Sequence, residues 1–114
     1  MTTTLAFTLD AAGMQNYVAS AIDDLTTAIE EYPRLAVFLA LARTGLEAAV
    51  RRAANEPSAW RRFFGLRGAA AIAAGTLNDV RQRHPELEAE SSLICDVAYG
   101  LADLAKMRPS AELR

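Results

Sequence analysis

The sequence predicts an all-α fold, a compact antiparallel bundle of four to five helices with an extended N-terminal arm, and three observations carry that prediction. Apolar residues recur at i, i+3 and i+4 through most of the chain, which is the spacing of one helix face. Alanine, which forms helix at no side-chain entropy cost, supplies 24 of the 114 residues. The four prolines, at positions 33, 57, 85 and 109, fall between the periodic stretches and punctuate them.

Residues 1–9 are the exception. In Thr4-Leu5-Ala6-Phe7-Thr8-Leu9 the large apolar side chains alternate, which is the period of a strand. No second strand is evident in the sequence. The segment is therefore expected to be an arm packing Leu5 and Phe7 onto the bundle, or else an edge open to another chain.

The first helix is expected from the N-cap Asp10 to about Tyr32. Its stripe is Met14, Val18, Ala21, Ile22, Leu25 and Ile29, with Tyr17 and Tyr32 completing it, and Asp23, Asp24, Glu30 and Glu31 lie opposite. Pro33 stops this helix and is suited to open the next, Pro33 to Ala54. In the first half of that second helix, Leu35, Val37, Phe38, Leu39 and Leu41 point in nearly all directions. A helix apolar all round is usually buried on several sides, so it is expected at the centre of the fold.

Asn55-Glu56-Pro57-Ser58 starts a third helical region, 58–83. Gly65 and Gly68 are expected to split it into a short helix, Ala59 to Phe64, and a longer one from about Leu66. The last helix is expected from Pro85 or Glu86 to Arg108, with Glu86, Glu88 and Glu90 at its positive end and Lys106 and Arg108 at its negative end. The expected organisation is one bundle domain over 10–108, with residues 109–114 as a short tail.

Composition narrows the class further. With 52% hydrophobic and 23% charged residues the chain is globular rather than disordered. The single cysteine, Cys95, has no internal disulfide partner, and a reducing compartment is expected. No basic residue precedes the first apolar stretch, and the longest apolar run, Leu35 to Ala42, is far short of a bilayer span. A cytoplasmic protein that does not contact membranes is expected. Eleven of the 12 basic residues are arginine, and this bias, with the alanine content, suggests a GC-rich bacterial or phage genome.

Sequence signatures of the common chemistries are missing. Di-iron bundles need two Glu-x-x-His pairs, and this chain has one histidine, His84. Placed beside Pro85, His84 suits a capping or surface role. Cys95 lies on an apolar stripe with no base at useful spacing, which suits an inert buried thiol. No Gly-rich loop follows a strand, and no Cys/His spacing fits a metal. The expectation is a non-enzymatic protein without cofactor or metal.

Charge is the informative signal. Residues 1–50 carry a net charge of −4, residues 51–84 carry +5, and residues 85–114 carry −3. The basic block also holds Trp60-Arg61-Arg62-Phe63-Phe64-Gly65-Leu66-Arg67. One reading sends Trp60, Phe63 and Phe64 into the core and leaves the arginines solvated. A second makes a protein-binding surface of Arg51, Arg52, Trp60, Arg61, Arg62, Phe64 and Arg67, since Trp and Arg are enriched at interface hot spots. A third uses segment 51–84 for nucleic acid. Its natural form, a helix-turn-helix on Ala71-x-x-x-Gly75, misses register because the sixth position after the glycine is Arg81.

The expected function is binding another protein, as an inhibitor, antitoxin, adaptor or assembly factor, with a nucleic-acid-binding regulator as the alternative. The acidic ends and basic middle also offer complementary charge between copies, so a homo-oligomer such as a homodimer is a possible state.

Overall fold

A computed structural model describes residues 8–111. The fold is all-α. Five helices pack together: α1 (Ala11–Glu31), α2 (Ala36–Ala54), α3 (Ala59–Arg83), α4 (Leu87–Glu90) and α5 (Ser92–Leu104). Two two-residue strands, β1 (Thr8–Leu9) and β2 (Arg108–Pro109), form a parallel pair.

Three of the four long helices, α1, α3 and α5, begin where the sequence supplies a side-chain acceptor for their unpaired amide hydrogens. Asp10 accepts from the Gly13 N–H at 2.7 Å and starts α1. Ser58 accepts from Arg61 N–H at 3.2 Å and starts α3, and Ser91 does the same for Ile94 at 3.2 Å to start α5. Pro33 opens a single 3-10 turn, Pro33–Leu35, before α2 takes over at Ala36.

Helix α3 is unbroken through Gly65 and Gly68, where a split was expected. Neither glycine has positive φ, so both stay in the helical well. Buried Phe63, Leu66, Ala70, Ala73 and Leu77 hold the helix on both sides of them, which outweighs a glycine cost of about 1 kcal/mol each. The break falls instead in the last helical region. Ser91, extended at φ −140° and ψ 92°, separates α4 from α5, and its hydroxyl is a better cap than anything within the run. Helix α5 then ends at Leu104, four residues earlier than expected.

The chain uses those last residues to close the fold. Arg108–Pro109 pairs with Thr8–Leu9, and Ser110 N–H donates to the Leu9 carbonyl at 2.8 Å. The strand that lacked a partner in the sequence thus finds one inside the chain. Leu5 and Phe7 of the expected arm lie outside the described residues.

The core sits between α1 and α3, with α2 and α5 on opposite flanks of that pair. Met14, Val18 and Leu25 of α1 meet Leu39 and Leu46 of α2, Phe63, Leu66 and Leu77 of α3, and Ile94 and Leu101 of α5, all essentially inaccessible to water. Helix α2 is not the buried centre. Val37 is 78% exposed and Leu41 64%, because they lie away from the α2 face that buries Leu39, Ala42, Leu46 and Ala49. Arg81 fastens α3 to α4 and α5: its guanidinium donates to Glu88 and, at 2.7 Å, to the Tyr99 hydroxyl, and lies 4.5 Å from the Tyr99 ring centre. Arg34 similarly ties the α1–α2 corner to α4 through Glu86 and Glu90, each at 3.2 Å.

Candidate functional site

Helical spacing places Val37, Leu41, Gly45, Ala48 and Arg52 on one face of α2. On α3 the same rule aligns Arg61, Gly65, Gly68, Ile72 and Arg83. The two helices run antiparallel, since Phe38 shares a concavity with Arg83 and Arg52 shares one with Arg61. Both faces therefore open on the same side of the molecule, with a groove between them.

The groove is continuous. Its middle section, about 680 Å³, is lined by exposed Leu41, Ile72, Gly45, Gly65 and Gly68 and by buried Ala42 and Ala73. Leu41 and Thr76 carry it into an end section closed by Asp79, Arg83 and His84. Arg52 and Gly65 carry it into the other end, beside Arg61 and Glu56. Ile72 is 75% exposed at the rim. Most of the middle section's lining is apolar. A β-carbon added at Gly45, Gly65 or Gly68 would meet nothing within 4 Å, so no packing among the described residues requires these glycines.

The arginines and aromatics singled out from the sequence divide into two groups. Arg62 donates to the Glu56 carbonyl at 2.7 Å and holds the α2–α3 connection. Arg67 donates to the Met107 carbonyl at 3.0 Å and stacks 4.6 Å from the centre of the Phe64 ring, so it braces the chain's C-terminal crossing. Phe64 is half-buried between Arg67, Trp60 and Phe63, with ring centres 4.7 Å and 5.2 Å from the two aromatics, and one side of it reaches the groove. Trp60 remains 40% exposed at the edge of that stack. Phe63 alone of the three aromatics is fully buried.

Arg51, Arg52 and Arg61 are exposed, and among the described residues no carboxylate pairs with them. Glu56, the nearest acid in sequence to Arg52 and Arg61, is occupied in accepting from the Ser58 N–H at 3.0 Å. The basic stretch is thus part structural brace and part open cationic rim. Val37, Leu41, Gly45 and Ile72 were not among the sequence-derived candidates. Their signal was present as an apolar pattern all round the second helix, a pattern that usually means burial.

The chain's two classical reactive side chains lie apart from the groove's middle. Cys95 is buried, with its Sγ 3.7 Å from the Leu87 carbonyl. His84 caps the end of α3 and its Nδ1 sits 3.4 Å from Glu86. The Glu86 carboxyl is held below the usual carboxylate range by its own backbone N–H first, with Arg34 and His84 adding to the effect. Among the described residues, no cluster of three or more His, Cys, Asp or Glu could hold a metal ion, and no helix is long and apolar enough to cross a membrane.

No family model, curated protein or solved structure matches the chain.

Proposed function

We propose that this chain works by binding protein rather than by catalysis, and that the α2–α3 groove is the surface it uses. One observation carries this: a mostly apolar groove lined in part by glycines and rimmed at one end by arginines that pair with no carboxylate among the described residues. Leu41 and Ile72, 64% and 75% exposed in the groove, are costly to leave in water, and such side chains are usual where another surface covers them. The exposed glycines along the groove let a partner backbone approach closely, and the exposed guanidiniums favour carboxylates. The occupant is therefore a protein surface with protruding apolar side chains and a carboxylate border.

A photo-crosslinking side chain placed at Ile72 tests this in the native host, with Gln82, exposed on another face of α3, as the control position. A discrete protein adduct is expected from position 72 and not from 82, with carboxylates flanking the crosslinked peptide. Arg52→Glu with Arg61→Glu should reduce its yield. Adducts of equal yield from both positions, or none, overturn this function. Steeply salt-dependent binding of mixed-sequence DNA or RNA, lost on the same arginine substitutions, would replace it with the nucleic-acid alternative.

A further inference from the structure

The face of the bundle opposite the α2–α3 groove has a groove of its own. It lies between α1 and α5, because α2 and α5 occupy opposite flanks of the α1–α3 pair. Its section of about 140 Å³ is bordered by Tyr17, Asp24 and Asp96 and floored in part by Gly100. Among the described residues, no arginine or lysine lines it. Asp103 stands two turns beyond Asp96 on the same exposed side of α5.

The two faces match in charge and in shape. One presents Arg52, Arg61 and Arg83, which outnumber the Glu56 and Asp79 beside them, around an apolar centre; the other presents Asp24 and Asp96, with no basic residue lining it among the described residues, around a small one. Each has a knob and a hollow. Ile72 and Leu41 project from the basic face, and the Gly100 groove has room for a single branched aliphatic side chain. Tyr17, 57% exposed, projects from the acidic face, and the wider hollow over Gly65 and Gly68 can take its ring. Of the five helix-interior glycines at which a β-carbon would meet nothing, Gly45, Gly65 and Gly68 line the basic groove and Gly100 lines the acidic one. Glycine inside a helix lowers stability, and no packing among the described residues requires these four.

We propose that the occupant of the α2–α3 groove is the α1–α5 face of a second copy of this chain. This rests on the protein-binding use of the groove and adds the partner. The contact is head-to-tail, not two-fold. A two-fold contact through the groove would set a face on which arginines outnumber carboxylates against itself, a poorer match than the α1–α5 face, whose groove has carboxylates as its only charged lining among the described residues. Opposite faces of opposite sign instead add copies in one direction, giving a ring or an open chain of subunits according to the rotation between neighbours.

The decisive experiment uses two singly blocked chains. Ile72→Glu puts a carboxylate at the exposed centre of the basic face, and Asp96→Arg reverses charge on the acidic face. Both positions are exposed, so both variants should fold; Gly68→Glu and Gly100→Arg serve as a second pair. Light scattering behind size-exclusion chromatography should show the parent chain growing in mass with concentration and dissociating in high salt. Each blocked chain alone should bind copies at least roughly tenfold more weakly. Mixed in equal amounts, they should form a one-to-one complex and grow no further, since each retains the one face the other needs. A parent chain that is monomeric from micromolar to millimolar overturns the proposal. So does a two-fold dimer abolished by Ile72→Glu but untouched by Asp96→Arg, or a mixture of blocked chains that stays monomeric. The crosslink from position 72 is read separately. A monomeric purified chain with a specific foreign adduct removes self-assembly and leaves protein binding standing, whereas loss of both removes the groove altogether.

Discussion

Replacing Gly65 and Gly68 with alanine should make the isolated chain more stable. In a helix interior, glycine is worse than alanine by about 0.5–1 kcal/mol, mainly through the backbone entropy it loses on folding. That gain is realised only where the new methyl group meets no obstruction and the backbone already has negative φ. Both conditions hold here: nothing lies within 4 Å of where either methyl group would stand, and no glycine has positive φ. The two sites are one turn apart and a pair of methyl groups barely interact, so their effects should nearly add, to about 1–2 kcal/mol. For a domain of this size, that corresponds to a rise in melting temperature of roughly 5–10 °C. Thermal unfolding followed by far-UV circular dichroism, at dilutions where the chain is monomeric, measures it. Gly13→Ala is the internal contrast. There a methyl group would stand 3.1 Å from the Asp10 Oδ1 that caps α1 and 3.1 Å from a Leu9 methyl, so the helix gain is offset by a disturbed cap. A double variant that melts at or below the parent refutes the view that the space beside Gly65 and Gly68 is empty, and a Gly13→Ala that gains as much per site refutes the reading that crowding at the Asp10 cap offsets the helix gain.

The remaining predictions concern the braces that hold the helices together. Arg81→Met should lower unfolding free energy by about 1–3 kcal/mol, because it removes the charge-assisted bonds to Glu88 and Tyr99 from a side chain only 14% exposed. Arg81→Lys should restore only part of this, since the shorter side chain's ammonium lacks the planar guanidinium that stacks on the Tyr99 ring; urea titration of the three proteins checks both statements. Glu86 makes stability pH-dependent. Its folded pKa is depressed, so its contribution is present above its unfolded value and is lost as pH falls through the folded one, below the usual carboxylate range. Glu86→Gln should flatten that part of the acid limb, and equal acid sensitivity in the two proteins would show that other carboxylates dominate.

Local chemistry made most of the helical boundaries legible. Asp10, Ser58 and the four prolines mark where amide donors must be capped or where a helical ladder cannot continue, and those constraints act within a few residues. The stripe of α1 was readable for the same reason, except that Tyr17 lies at its margin and stays exposed. Where expectations failed, a neighbour in space decided the outcome. The intrinsic weakness of Gly65 and Gly68 was outweighed by packing of Phe63, Leu66 and Ala70 on either side of them. The β1 strand's partner lies a hundred residues away at Arg108–Pro109, beyond the reach of any local pattern.

The candidate site divides along the same line. Charge segregation, with its basic, aromatic block from Arg51 to His84, was present in the sequence. Which arginines remain exposed was not: Arg62 and Arg67 are taken up by carbonyls of Glu56 and Met107, while Arg51, Arg52 and Arg61 are left at the surface. The apolar groove was hidden entirely, because a helix apolar all round has the same sequence whether its outer face meets the core or water. Residue order alone specifies an all-α chain, the places where its helices start, and the succession of its charges. Three-dimensional packing was needed to put α1 and α3 at the centre, leave one side of α2 uncovered and set the basic and acidic faces back to back. Helix formation depends on contacts within a turn or two, whereas which apolar stripe is buried depends on how all the helices share a limited core.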